Sequence, residues 1–248
     1  MKFAVEPRPA PPGRTWDPMG HVDYRLAETA EEKEEIYRLR YRAYLREGAV
    51  RPSLDERVAD QYEDEPNAWT FGVYLHGELY SSIRISVLTS EWRKSPSVEL
   101  FGDILHPLLD KGLVFIDSTR FVADPAKARH FPELPYVTVR LGSTAGVHFN
   151  ADYGLAIIRP EHQAFYRRVF LFETWCEPRT YPGLVKPVGL MAAHLSTVRE
   201  KVLARYPFLR SSAFERRMLF DRGSQRKAAP RPVLVSTPLS PDRAATLA

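Results

Sequence analysis

The stretch FIDSTRFVAD, residues 115–124, constrains this chain more than any other. Phe115, Ile116, Phe121 and Val122 belong in a core, yet the same run carries Asp117 and Arg120. A charge enclosed by protein is destabilising unless it is paired and hydrogen-bonded. Any fold for this chain must therefore bring partners to an acid and a guanidinium in one buried strand. Spacing adds a second demand. Side chains alternate along a strand, so residues three apart point to opposite faces. Asp117 and Arg120 reach one site only if a bulge intervenes.

Other segments supply the partners. RLRYRAY holds Arg40 and Tyr44, DQYEDEPN holds Asp60, Glu63 and Asp64, and SSIRIS sets Arg84 among apolar neighbours. Two strand arginines and several upstream carboxylates predict one ion-pair network, with Arg84 and Arg120 touching Asp60, Glu63 or Asp117. Taken singly, these residues also have plainer readings. Arg40 alone reads as a solvated helix residue. Pairing that fixes strand register accounts for Asp117 or Arg120 as well as chemistry does. Tyr166, by spacing alone, reads as a core aromatic.

Periodicity predicts an α/β order. VDYRLA (22–27) alternates as a strand. TAEEKEEIYRLRYRAYLREG (29–48) is a helix with a Thr29/Glu32 capping box, ended by Gly48. Residues 69–88 make two strands around His76-Gly77. A strand at 112–124 precedes a helix that starts at 132 and ends near Asn150. GLAIIR (154–159) is a strand and PEHQAFYRRVF (160–170) a helix with proline in its first turn. LVKPVGLMAAH is a final strand and LSTVREKVLARYP a further helix. No linker or repeat interrupts this, so one domain is expected at 22–220, between a flexible lead at 1–21 and a flexible tail at 221–248.

Composition narrows the function classes. With 248 residues, 44% of them hydrophobic and 27% charged, the chain is globular. One cysteine, Cys176, excludes a disulfide framework and a Cys–Cys metal site, and the histidines show no ligand spacing, so no metal is expected. A net charge of +4 is too small to argue for nucleic acid, but suits an acidic macromolecular partner. Nothing resembles a signal peptide or a membrane span, so a cytoplasmic protein is expected.

The segments LRYRAY, DQYED, SSIRIS and DSTRF together resemble the core pattern of bacterial N-acyl amino acid synthases and of the related acyl-homoserine-lactone autoinducer synthases. Likeness to the first group is longer, through ELPYVTVRL, RPEHQAFYRRVF, EPRTYPGLVKPVGLM and RYPFLRSS. It implies a GNAT-like acyltransferase fold, with a mixed, splayed central sheet flanked by helices. Two departures separate the chain from the autoinducer synthases: Asp117 stands where they usually carry Glu, and LREGAV lacks their tryptophan.

The resemblance also implies roles. Asp117, Arg120, Tyr166 and Glu63 would be catalytic, with Tyr166 giving the leaving thiolate its proton, while Arg40, Asp60 and Arg84 would bind substrate. The implied reaction moves a long-chain acyl group to the α-amine of an amino acid, and no covalent nucleophile or resident cofactor is needed. Coenzyme A enzymes of this fold carry a glycine-rich pyrophosphate loop after the fourth strand. Here the loop reads ADPAKARHFPELP, without glycine, which favours a phosphopantetheine thioester on acyl carrier protein as donor. The alternatives are an acyl-homoserine-lactone synthase and a non-catalytic acyl-binding module.

Overall fold

The computed structural model describes residues 18–222. Apart from residues 18–21 and 221–222, the expected lead and tail lie outside the described residues. The first elements are β1 (Val22–Leu26), α1 (Ala30–Arg46), β2 (Ala68–Leu75) and β3 (Glu78–Leu88). Then come α2 (Pro96–Asp110), β4 (Phe115–Ala123), α3 (Leu134–His148), β5 (Tyr153–Ile158) and α4 (Gln163–Phe170). β6 (Glu173–Arg179), β7 (Val188–His194), α5 (Leu195–Arg205) and α6 (Ala213–Phe220) complete the set.

Local chemistry explains the best-defined elements. At the start of α1 the Thr29 hydroxyl accepts from the Glu32 amide, and the Glu32 carboxylate accepts from the Thr29 amide, which is the expected capping box. His76 and Gly77 both have positive φ, the conformation whose twist matches a two-residue hairpin between β2 and β3.

The seven strands form one sheet in the order β1-β2-β3-β4-β5-β7-β6. Every neighbouring pair is antiparallel except β4 and β5. Helix α3 makes the crossover that a parallel pair requires. One face of β2 and β3 (Trp69, Phe71, Ile83, Ile85) packs with Val137 and Leu141 of α3 and Phe220 of α6. The opposite face meets α1 and α2. Thus Thr70, Arg84 and Thr119, on facing register positions, lie under α1 and α2.

Two irregularities open the sheet. First, β3 steps from Ser82 to Arg84 while β4 steps from Val122 back to Thr119, so β4 holds one extra residue. Arg120 sits there with φ of +54°. Second, β4 and β5 pair only from Phe115↔Tyr153 to Asp117↔Leu155, although both strands run on. Beyond Asp117 they diverge. This is the splay expected from the resemblance, in a GNAT-like mixed sheet.

Three elements escaped the pattern reading. α2 is kinked at Phe101 and contains Pro107, so its apolar period breaks. β6 carries Pro178 and charged residues, tolerable because it is an edge strand. α6 is only eight residues long. The helix expected over 160–170 divides into a 3-10 turn, Pro160–His162, and α4. No helix among the described residues is long and apolar enough to cross a membrane.

Candidate active site

The bulge answers the objection from strand alternation. In a regular strand Arg120 would point under α3. Its left-handed backbone turns the side chain to the Arg84 face, where Nε and Nη2 donate to Asp60 Oδ2 at 2.9 and 2.6 Å. Arg84 donates to both Asp60 oxygens, at 2.5 Å to Oδ1 and 3.0 Å to Oδ2. It also reaches Glu63 Oε1 at 3.1 Å and the Thr119 hydroxyl at 3.2 Å. Arg40 donates to Glu63 Oε1 at 2.5 Å, and Thr70 donates to Glu63 Oε2 at 3.2 Å. Five of the seven residues singled out from sequence, Arg40, Asp60, Glu63, Arg84 and Arg120, thus form one cluster.

Burial sets the energetics. Arg40 and Arg84 are 0% exposed. Arg40 is thus no solvated helix residue; it lies on the inward face of α1 beside Ile36 and Leu39. Two carboxylates serve three guanidiniums. Burial pulls the Asp60 carboxyl up, but hydrogen bonds and charge from Arg84 and Arg120 outweigh it and hold the group well below its usual range. Burial disfavours the Arg120 cation, yet Tyr44 and Asp60 over-compensate and raise it.

Asp117 is placed differently. It lies on the same sheet face but points at α2, where Ser97 donates to Oδ1 at 2.7 Å. It is 0% exposed, and Oδ2 has no hydrogen-bond partner. Burial pushes its pKa up, against weaker hydrogen bonds from Ser97 and Ser95 and the charge of Arg84. No bond joins it to Arg120.

Two cavities meet at Arg120. One, of about 600 Å³, occupies the splay and is lined by Tyr44, Ser118, Thr119, Ile157 and Tyr166. Tyr166 comes from α4, whose first residues the Pro160 turn positions below β5. Its ring packs edge-on against Phe165, and burial pushes its hydroxyl pKa well up, so it stays a proton donor. The other cavity, of about 490 Å³, is polar and is lined by Arg51, Arg57, Asp60, Tyr62, Glu99 and Tyr181. Arg120 and Leu184 line both. Behind the splay, an apolar cavity of about 330 Å³ lies between α3 and α5, and Ser118 connects it to the first. Sequence reasoning missed Glu99, Tyr62 and Tyr181. None of the three was singled out in its segment, and only the fold brings them together.

Two outcomes test the electrostatics. Arg84→Ala leaves Asp60 with one cationic partner and strips one from Glu63, so unfolding free energy should fall by about 3–5 kcal/mol; denaturant titration measures it. For Asp117 the sign follows from linkage. Its folded pKa is raised, so the folded state retains a proton that the unfolded chain releases. Its contribution therefore declines as pH rises from the ordinary carboxylate range through the raised value. Unfolding free energy measured across that range should lose this decline in Asp117→Asn, which keeps an acceptor for Ser97. An unchanged pH slope contradicts the assignment.

A family model described as N-acyl amino acid synthase FeeM matches residues 35–194, a span that contains all seven residues. No curated protein matches the sequence. Among solved structures, FeeM, an N-acyl amino acid synthase from uncultured soil microbes, aligns with a TM-score of 0.63 at 18% identity, covering 75% of this chain and 98% of that one. The AHL synthase LasI aligns with a TM-score of 0.51 at 12% identity, covering 69% and 89%. At such identities these structures speak for the fold, and the family match speaks for the chemistry: the chain belongs to the FeeM family of N-acyl amino acid synthases and is an acyltransferase.

Proposed function

We propose that the enzyme transfers a long-chain acyl group from the phosphopantetheine thioester of acyl carrier protein to the α-amine of an amino acid. One observation carries the choice of donor. Helix α3 follows β4, where coenzyme A enzymes of this fold use free backbone amides to cradle pyrophosphate. Here those amides are engaged. Leu134 N donates to Phe131 O at 3.0 Å, Pro135 has no N–H, and Tyr136 N and Val137 N donate to Glu133 O at 2.9 and 3.1 Å. Glu133 stands at the N-cap position, and its charge opposes an anion there. A pantetheine arm without a nucleotide needs no such cradle.

The cavities suit the three parts of the reaction. The rim of the splay cavity carries Arg46, Arg129, Arg159 and Lys186 against Glu47 and Glu161, a positive excess fitted to an acidic carrier. The thioester would sit in the splay, with its chain passing Ser118 into the apolar cavity behind. The polar cleft offers Arg51 and Arg57 to an α-carboxylate and Glu99 to an ammonium. Arg120, bordering both spaces, is placed to stabilise the oxyanion as the amine adds to the carbonyl.

Acyl carrier protein and coenzyme A thioesters of one chain length, offered with a panel of amino acids and with S-adenosylmethionine, test the reading by mass spectrometry. The expected product is an N-acyl amino acid, formed faster from the carrier thioester. A lactone, a preference for coenzyme A, or bound but unconverted thioester overturns it. Tyr166→Phe keeps the ring and its packing, so folding should hold while turnover falls by about 10²–10⁴, the usual span for general acid help. The loss should appear in turnover more than in donor affinity, because the proton is needed only as the thiolate leaves. Turnover within about threefold of the parent, with chemistry rate-limiting, would make Tyr166 a packing residue.

A further inference from the structure

We infer that Glu99 is a catalytic residue of this acyl transfer: it binds the acceptor's ammonium in the polar cleft and takes the proton that must leave before the nitrogen can attack. The inference rests on the reaction proposed above and adds the base which that reaction lacks.

An amino acid reaches a protein as an ammonium ion, which has no lone pair for a carbonyl. Some group near the thioester must accept a proton. The carboxylates read from the sequence are poorly suited. Asp60 spends both oxygens on Arg84 and Arg120, and its affinity for protons is lowered. Glu63 is 9% exposed and spends both oxygens on Arg40, Arg84 and Thr70. Asp117 is enclosed against Ser97 and lines none of the three cavities.

Glu99 is placed differently. It stands on the first turn of α2, exposed, in the wall of the cleft. Tyr62 and Tyr181 both donate to its Oε2, at 2.8 and 3.3 Å. They orient the carboxylate and leave Oε1 for a ligand. Neither tyrosine competes for the proton: burial and the Glu99 hydrogen bond push Tyr62 up to about 12, and burial pushes Tyr181 up as well. The tyrosines also tie Glu99 to the network. The Arg84 guanidinium lies 5.7 Å from the Tyr62 ring, and Tyr181 feels the charge of Arg120. The base thereby stands in the cleft that Arg120 borders, and Arg120 also borders the thioester cavity.

The protons balance. The ammonium gives one proton to Glu99, and the neutral nitrogen attacks the thioester carbon, forming the C–N bond while the C=O pair moves to oxygen. On collapse the C–S bond breaks and the thiolate takes the Tyr166 proton. The nitrogen's second proton restores the phenol, and exposed Glu99 releases its own to water.

Glu99→Gln keeps an acceptor for both tyrosines and removes the charge. Near neutral pH its kcat/KM for the amino acid should fall by about 10²-fold or more. Its rate should then climb with pH as the free acceptor amine itself deprotonates, unlike the parent's. Affinity for a non-hydrolysable acyl-pantetheine thioether and the melting temperature should stay at parental values. Glu99→Asp should recover part of the activity and the parental pH profile. Activity of Glu99→Gln within threefold of the parent overturns the proposal. So does a loss that keeps the parental pH profile, which would make Glu99 only a clamp for the two tyrosines. A parent enzyme that acylates no amino acid fails differently, because the reaction itself then falls.

Discussion

Two buried guanidiniums and a half-buried third, sharing two carboxylates, govern this structure. Arg40 comes from α1, Arg84 from β3 and Arg120 from the bulge of β4, while Asp60 and Glu63 come from the segment between α1 and β2. Replacing such a cluster with apolar residues can leave stability unchanged, so its value is not simply added stability. Its consequence is geometric. Removing Asp60 or Glu63 takes from Arg120 or Arg40 its acidic partner in the cluster, and removing an arginine takes one cation from a carboxylate. The cluster therefore fixes where α1, the 60–63 segment and the two strands stand relative to one another. It also explains why Arg120 holds a left-handed backbone that an arginine ordinarily avoids.

The rest of the site follows from that anchor. The bulge at Arg120 lies just past the point where β4 and β5 part. The divergence opens the cavity bordered by Tyr166, and the inverted arginine makes a wall between it and the polar cleft. An acyl donor and an amine could then approach one guanidinium from opposite sides. Tyr166 and Glu99 lie on different elements and in different cavities, which suits two proton transfers at two atoms. Burial keeps the Tyr166 phenolate unfavourable, so in the proposed reaction a proton passed to sulfur would be replaced by one from nitrogen.

Much of this was legible in the residues. Charges inside SSIRIS and FIDSTRFVAD demanded partners, and the partners in DQYED are the ones found. The three-residue spacing of Asp117 and Arg120 allowed a common site only with a bulge, and the bulge is there. Arg40 read as exposed because a lone arginine on a helix carries no sign of what will cover it. Asp117 was one of three acids expected to meet the strand arginines, whereas Ser97, on a helix broken by Phe101 and Pro107, donates to it instead. Glu99 was illegible for the same reason: its tyrosines lie 37 residues before and 82 residues after it, and nothing local links them.

The central claim is that the Asp60–Arg120 pair couples the 60–63 segment to the bulge and so holds the site in shape. A double-mutant cycle of Asp60→Asn and Arg120→Gln, read by unfolding free energy and by acyl transfer, tests it most directly. The account predicts strong non-additivity: a coupling within about 0.5–3 kcal/mol in stability, and a double variant no less active than the worse single one. Additive losses in both readouts would contradict it, because two groups that act independently cannot be what sets the geometry of the site.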